Sequence, residues 1–259
     1  MQYPANRATL LINEHKDVNQ QLELLLLEVH ISATKLTSVR AKEYLQQGVG
    51  RRLMTLRRSL WNIFELFPPD RKKPLLNNNL EDIQINLHAF VINLYGIFEN
   101  LAWSFILHHD LEERVGGRKN VSLFHSSTQK LLPVQLSSYL KSSNILNWQV
   151  EYLKNYRDSL AHRIPLYVPP AAFTHEEGIH FNLLEEEKVE CIKMHQFSRV
   201  DEIHIEQENI GRASPVFLRL LSDTVDTELP IYLHPQLLCD AKTVLEFSSL
   251  FFKHWLSKA

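Results

Sequence analysis

The stretch NILNWQVEYLKNYRDSLAHRIPLYVPP, residues 144–170, decides how this chain is read. Its spacing is helical to about Arg163 and then stops in a proline-rich exit, Pro165 followed by Pro169-Pro170. Leu146, Val150, Leu153 and Leu160 form one apolar stripe. Asn155, Asp158, Ser159 and His162 stand at i, i+3, i+4 and i+7 and form a second, polar stripe, with Arg157 off its line. This is the densest group of chemically capable side chains in the sequence. It is either an active site or a polar seam in a helix bundle.

Towards the N-terminus the pattern stays helical. Residues 8–47 are rich in Leu, Glu, Gln and Lys and free of proline and glycine, which predicts one long helix or two in tandem. Gly48-Val49-Gly50 predicts a break or a kink. A helix over residues 51–67 places Leu53, Leu56, Leu60, Ile63, Phe64 and Phe67 inside and Arg51, Arg52, Arg57 and Arg58 on its exposed flank. PPDRKKPLLNNN is a loop. From Asn79, a candidate N-cap, to His109 the chain is apolar nearly all round, the mark of a central helix. Asn86, Asn93 and Asn100 recur every seven residues on one edge, with Glu99 beside them. Buried amides need partners, so this line is expected to face the polar stripe of residues 155–162. Residues 127–141 are a weaker helical region, interrupted at Pro133.

Past Pro165 the character changes. Residues 181–184, 189–194 and 201–207 are short β-prone runs that predict a small antiparallel sheet or hairpin. A short helix over 214–226, an extended piece at 231–233 and an amphipathic helix over about 235–257 complete the chain. The expected fold is mainly α: a single domain over 1–259, with a helical bundle core at about 8–165 and a small antiparallel β insertion at about 180–210.

Composition bounds the chemistry. The 259 residues are 44% hydrophobic and 22% charged, ordinary for a soluble protein. Seven glycines, with no GxGxxG or GxxxxGK[ST], leave no phosphate-cradling loop. Two cysteines, Cys191 and Cys239, fit a reduced compartment and are too few for a disulfide framework or a thiolate metal site. The opening MQYPANRATLLINEHKD lacks the pattern of a secretory signal and no apolar run reaches spanning length, so a cytoplasmic protein away from membranes is expected. The net charge is only −2 but unevenly spread. Residues 40–73 carry nine basic against three acidic side chains, and residues 171–212 ten acidic against four basic. The basic stretch suits an anionic ligand, or is one solvated face of two.

Arg157-Asp158-Ser159-Leu160-Ala161-His162 resembles the Arg-x(4–6)-His signature of the HEPN superfamily (higher eukaryotes and prokaryotes nucleotide-binding). The likeness includes the polar residue after the arginine, the small residue before the histidine, the helix exit and the setting late in a helical bundle. It covers roughly residues 79–165 and implies a HEPN-like antiparallel bundle. Members with this motif are commonly metal-independent endoribonucleases that pair their motifs in a homodimer. The resemblance therefore implies Arg157 and His162 as the catalytic pair and Asp158 as the residue orienting the imidazole, with no cofactor and no metal. Asn155, Ser159, Asn93, Glu99 and Asn100 are supporting candidates, and Arg51, Arg52, Arg57 and Arg58 are candidates for the RNA backbone. The implied partners are RNA or a nucleotide, a second copy, and an antitoxin or other protein, in a defence or toxin–antitoxin setting. The chemistry suits the residue types: a histidine moves protons near neutral pH, and arginine offers a permanent planar charge to a phosphorane. Residues five apart on a helix differ by about 140°, so Arg157 and His162 converge only if the helix unwinds at His162 or a second chain faces the first. The same spacing recurs at Arg199–His204 and Arg118–His125, outside such a helical setting. The alternative from another class is a non-catalytic helical module that binds a nucleotide or a protein. His175-Glu176-Glu177-Gly178-Ile179-His180 lacks HExxH spacing, and His108-His109-Asp110 reads as a helix-end cluster.

Overall fold

The computed structural model describes residues 2–219 and 230–256. Helix α1, Ala5–Thr34, buries Ala8, Leu11, His15, Val18, Leu22, Leu25, Val29 and Ser32, alternating steps of three and four that make a narrow seam. The chain turns at Lys35–Ser38, and the Ser38 hydroxyl caps α2, Val39–Glu43, by accepting from the Ala41 amide. The tandem arrangement expected of residues 8–47 is thus present.

At Gly48–Gly50 the helix does not break, but its regular winding changes. Residues Tyr44–Gly50 form a π-helical segment that carries α2 without interruption into α3, Arg51–Leu66. The glycines serve packing instead. A Cβ on Gly48 would come within 2.9 Å of the Asn100 Cγ, so the missing side chain lets the central helix approach.

That central helix, α4, runs over Asn77–His108, with Leu76 at its N-cap position, three residues before the expected Asn79, and no side-chain cap there. It is long and apolar enough to cross a membrane by composition, with a mean hydropathy of 1.4, yet 67% of that window is buried inside the bundle. Ile83, Leu87, Phe90, Val91, Leu94, Ile97, Phe98, Leu101 and Phe105 pack against α3, the π segment and the last helix, α11, Leu233–His254. α1 packs on α3 and α11. A run of short helices, α5 Ser126–Gln129 and α6 Val134–Leu140, leads to the motif helix.

The β insertion expected at about 180–210 is corrected. Residues there form two helices, α9 His175–Lys193 and α10 Phe197–Gln207, with a small core of their own made by Leu184, Cys191, Val200 and Ile203. The local signal that wins is at the start: Thr174 and Glu177 make a reciprocal capping box. The β-prone runs are short, and their acidic neighbours fit a helix whose outer face is solvated. The chain turns between the helices at His195, in the left-handed region at φ 56°. Backbone bonds tie the base of this hairpin to the bundle, Leu75 N–H to Pro170 O at 2.9 Å and Ala213 N–H to Lys72 O at 2.8 Å. The strands that do exist are two residues long, β1 Val216–Phe217 antiparallel to β2 Ile231–Tyr232. The extended piece near 231 is therefore as expected. The helix expected at 214–226 is replaced by β1 at its start, and its remainder falls on 220–229, outside the described residues.

Candidate functional site

The motif helix is held by one buried carboxylate. Helix α7, Ser143–Asn147, passes through a second π-helical segment, Trp148–Leu153, into α8, Lys154–His162. Asp240 of α11 is fully buried and accepts from Trp148 Nε1 at 2.8 Å, Tyr152 Oη at 2.7 Å and Gln236 Nε2 at 2.9 Å. Burial pushes its carboxyl up to about 6, against the opposing pull of the three donors. The wide π turn changes which residues face inward. Of the expected stripe only Leu153 is buried; Leu146 and Val150 are exposed, and Tyr152, Tyr156 and Ser159 take the inner positions.

This rotation brings Arg157 against α4. Its Cζ lies 4.2 Å from the centroid of the Tyr95 ring, and its Nη1 is 2.8 Å from Asp158 Oδ1. Its Nε is buried with no hydrogen-bond partner among the described residues. One turn along α4, Glu99 accepts from the Ser122 hydroxyl at 2.6 Å. Burial raises the Glu99 carboxyl, while the Ser122 bond and the Arg157 charge oppose the shift. Burial also raises the Tyr95 phenol, aided by the Glu99 charge and opposed by Arg157. A cation, a carboxyl whose pKa burial raises and a phenol thus share one half-buried place. Tyr95 and Ser122 were missed in the sequence. Tyr95 was detectable as the residue one turn before Glu99; Ser122 lies in a loop and carries no periodic signal.

The other motif residues are arranged differently. His162 is exposed and is the last residue of α8; Arg163 is already extended. The helix does not unwind before His162, so Arg157 and His162 keep their separate directions within one chain. Asp158 pairs with Arg157. Asn155 donates to the carbonyls of Val150 and Glu151, at 3.0 and 3.1 Å, and Ser159 donates to the Asn155 carbonyl at 3.0 Å. Both close local turns.

The two polar lines do not meet. The asparagine edge of α4 faces α3 and the π segment instead. Asn62 donates to Asn86 Oδ1 at 3.0 Å, Arg52 Nη1 donates to Asn93 Oδ1 at 3.2 Å, and Asn100 lies against Gly48. Asn93 and Asn100, the supporting candidates on this edge, thus meet Arg52 and Gly48 rather than the polar stripe of α8. The arginines of α3 also divide. Arg57 is engaged by Asn19 and Glu23 of α1, Arg52 is drawn over Gly96, and Arg51 and Arg58 remain exposed. Arg52 and Arg157 thus reach α4 at consecutive residues, Gly96 and Tyr95, about 100° apart around the helix.

The other copies of the spacing are spent on structure. Arg199 and His204 do lie on a helix, α10, contrary to expectation, and Arg199 is bound by Glu187, Glu202 and Glu206 at 2.7, 3.1 and 2.8 Å. Arg118 opens a single 3-10 turn, and His125 Nδ1 lies 2.7 Å from Ser127 Oγ. His175 and His180 are exposed on α9, and His109 Nε2 lies 2.8 Å from the Trp255 carbonyl, fastening the end of α4 to α11. Among the described residues no group of three or more His, Cys, Asp or Glu side chains is placed to hold a metal. Comparisons with protein-family models, with curated proteins and with solved structures find no match.

Proposed function

We propose that this protein is a HEPN-like, metal-independent endoribonuclease of the cytoplasm, working as a homodimer whose two motif helices complete each other's sites. The observation that carries the reading is the placement of Arg157. Off the polar line in sequence, it is drawn half-buried against Tyr95 and toward Glu99, while His162 stands free at the end of the same helix. Within one chain the pair diverges. Across a two-fold axis, His162 of one chain can meet Arg157 of the other.

In that site a ribose 2′-hydroxyl attacks the adjacent phosphorus as its proton passes to the imidazole of His162. The bond from phosphorus to the 5′-oxygen breaks, the leaving oxygen takes a proton, and a 2′,3′-cyclic phosphate remains. Arg157 faces the charge that grows on the phosphorane oxygens. Glu99, its carboxyl raised by burial and opposed by the Arg157 charge, stands beside that guanidinium.

A second reading, a helical module that binds a nucleotide or a protein without catalysis, has its own support. Asp158 and Tyr95 engage Arg157, and Asp158 is bonded to it rather than to His162. Purified protein given single-stranded RNA in excess EDTA separates the two. Cleavage with cyclic-phosphate ends is expected, falling by a factor of about 10²–10⁴ in Arg157→Ala and in His162→Ala with the thermal melt retained. Intact RNA with the wild type leaves the binding module, and cleavage undiminished in both variants overturns the assignment to Arg157 and His162.

A further inference from the structure

Arg52 is an unusual arginine in this molecule. It is half-buried, and its guanidinium lies so close over the backbone of α4 that a Cβ on Gly96 would stand 2.4 Å from its Cζ. Its one hydrogen bond among the described residues goes to a neutral acceptor, Asn93 Oδ1. Several other arginines held against the protein have carboxylate partners: Arg57 has Glu23, Arg157 has Asp158, and Arg199 has three glutamates, while Arg71 spends its donors on two backbone carbonyls. No described carboxylate pairs with Arg52. A guanidinium has five N–H donors in a fixed fork, and this one keeps most of them for an outside acceptor.

Two neighbours define that acceptor. On α3, Arg51 and Arg58 are exposed in a row with Thr55, at i, i+4 and i+7, flanking Arg52. On α4, seven residues beyond Gly96 and therefore about 10.5 Å along the same edge, Trp103 stacks on Tyr44 with centroids 5.4 Å apart and planes 19° from parallel. Both rings are partly exposed. Positive charge that follows a backbone, interleaved with an aromatic surface that takes any base, is the chemistry of single-stranded nucleic acid recognition.

We propose that the α3–α4 edge is a track for single-stranded RNA, separate from Arg157 and His162. Arg52 grips a phosphate in the notch over Gly96, Arg51 and Arg58 extend the contact, and the Tyr44–Trp103 pair receives a base. Gly96 is a positioning residue, since only a glycine lets the guanidinium lie there. The proposal rests on the reading that the ligand is RNA but not on cleavage.

The test is fluorescence anisotropy with a labelled 2′-O-methyl oligouridylate of about twelve nucleotides, a length that spans the edge at several bases per aromatic site. That probe binds without being cut. Arg52→Gln should weaken binding about tenfold and flatten the salt dependence by about one contact. Gly96→Ala should weaken it as well, because the new methyl displaces the guanidinium, with helicity and melt retained. Trp103→Phe should cost a few-fold and Arg118→Gln nothing. Wild-type affinity in both Arg52→Gln and Gly96→Ala overturns the track while leaving cleavage at Arg157 untouched. No binding by the wild type at low salt overturns the track and the RNA reading together.

Discussion

At the scale of single residues, the surroundings of Arg157 follow from its lying off the polar line of its helix. Arg157 was singled out by its spacing to His162 and set aside from the polar line. The fold makes that offset its qualification, because the off-line direction is the one that meets Tyr95 and Glu99. Asn155 and Ser159, which made the line conspicuous, close backbone turns. The Ser122 bond holds down a carboxyl that burial raises. Ser122→Ala should therefore raise the Glu99 pKa further, read by carboxyl NMR titration, and move any Glu99-linked limb of the cleavage profile to higher pH. An unmoved titration would mean that the hydroxyl does not bear on Glu99. Gly96 makes a similar point. A glycine in mid-helix costs about 1 kcal/mol relative to alanine, so its presence in α4 needs a reason, and the guanidinium of Arg52 supplies one.

At the scale of elements, helices were legible wherever apolar spacing and length agreed, as in α1, α3, α4 and α11. They were not legible in α9 and α10, where β-branched residues sit among acids on a weakly amphipathic hairpin and the capping box at Thr174 decides the outcome. The two π-helical segments carry no periodic signature either, since each is a local response to a partner on another element. Near Gly48 the partner is Asn100, which the absent side chain admits. A methyl there meets Asn100 at 2.9 Å, so Gly48→Ala should destabilise the protein by about 1–3 kcal/mol of overpacking despite alanine's better helix propensity. Urea denaturation measures this, and a more stable variant would contradict the packing role. At the second segment the partner is Asp240. Asp240→Asn keeps one acceptor oxygen and leaves a buried donor of Trp148 or Tyr152 unsatisfied, at a cost of about 1–3 kcal/mol. It should also loosen the register that aims Arg157, so cleavage should fall by more than stability alone predicts.

At the scale of the whole molecule, α1, α3 and α11 meet around two buried histidines. His15 stacks on Phe64 at 4.1 Å, and His234 Nε2 lies 2.6 Å from the Phe67 carbonyl. Desolvation lowers both to about 4. The unfolded chain therefore binds protons that the folded chain refuses. Stability is complete above about pH 6.5 and is lost as pH falls toward 4, by on the order of 2 kcal/mol at pH 5 for the fully buried His234. Asp240, raised to about 6, acts in the opposite direction and returns about 1 kcal/mol over the same range. The urea midpoint should fall from pH 7 to pH 5, and fall more steeply in Asp240→Asn. A midpoint independent of pH would mean that the histidines are not sealed in the core.

The arrangement of this fold leaves Arg157 inside and His162 outside on one unbroken helix, so the account stands on a site shared between two chains. Mixing Arg157→Ala protein with His162→Ala protein, after brief unfolding and joint refolding, tests that claim. A mixed dimer carries one site with both residues intact and one with neither. Cleavage in EDTA should therefore reappear at about a quarter of the wild-type level, from half of the dimers with half of their sites restored. A mixture as inactive as either variant alone, beside an active wild type, would contradict the shared site.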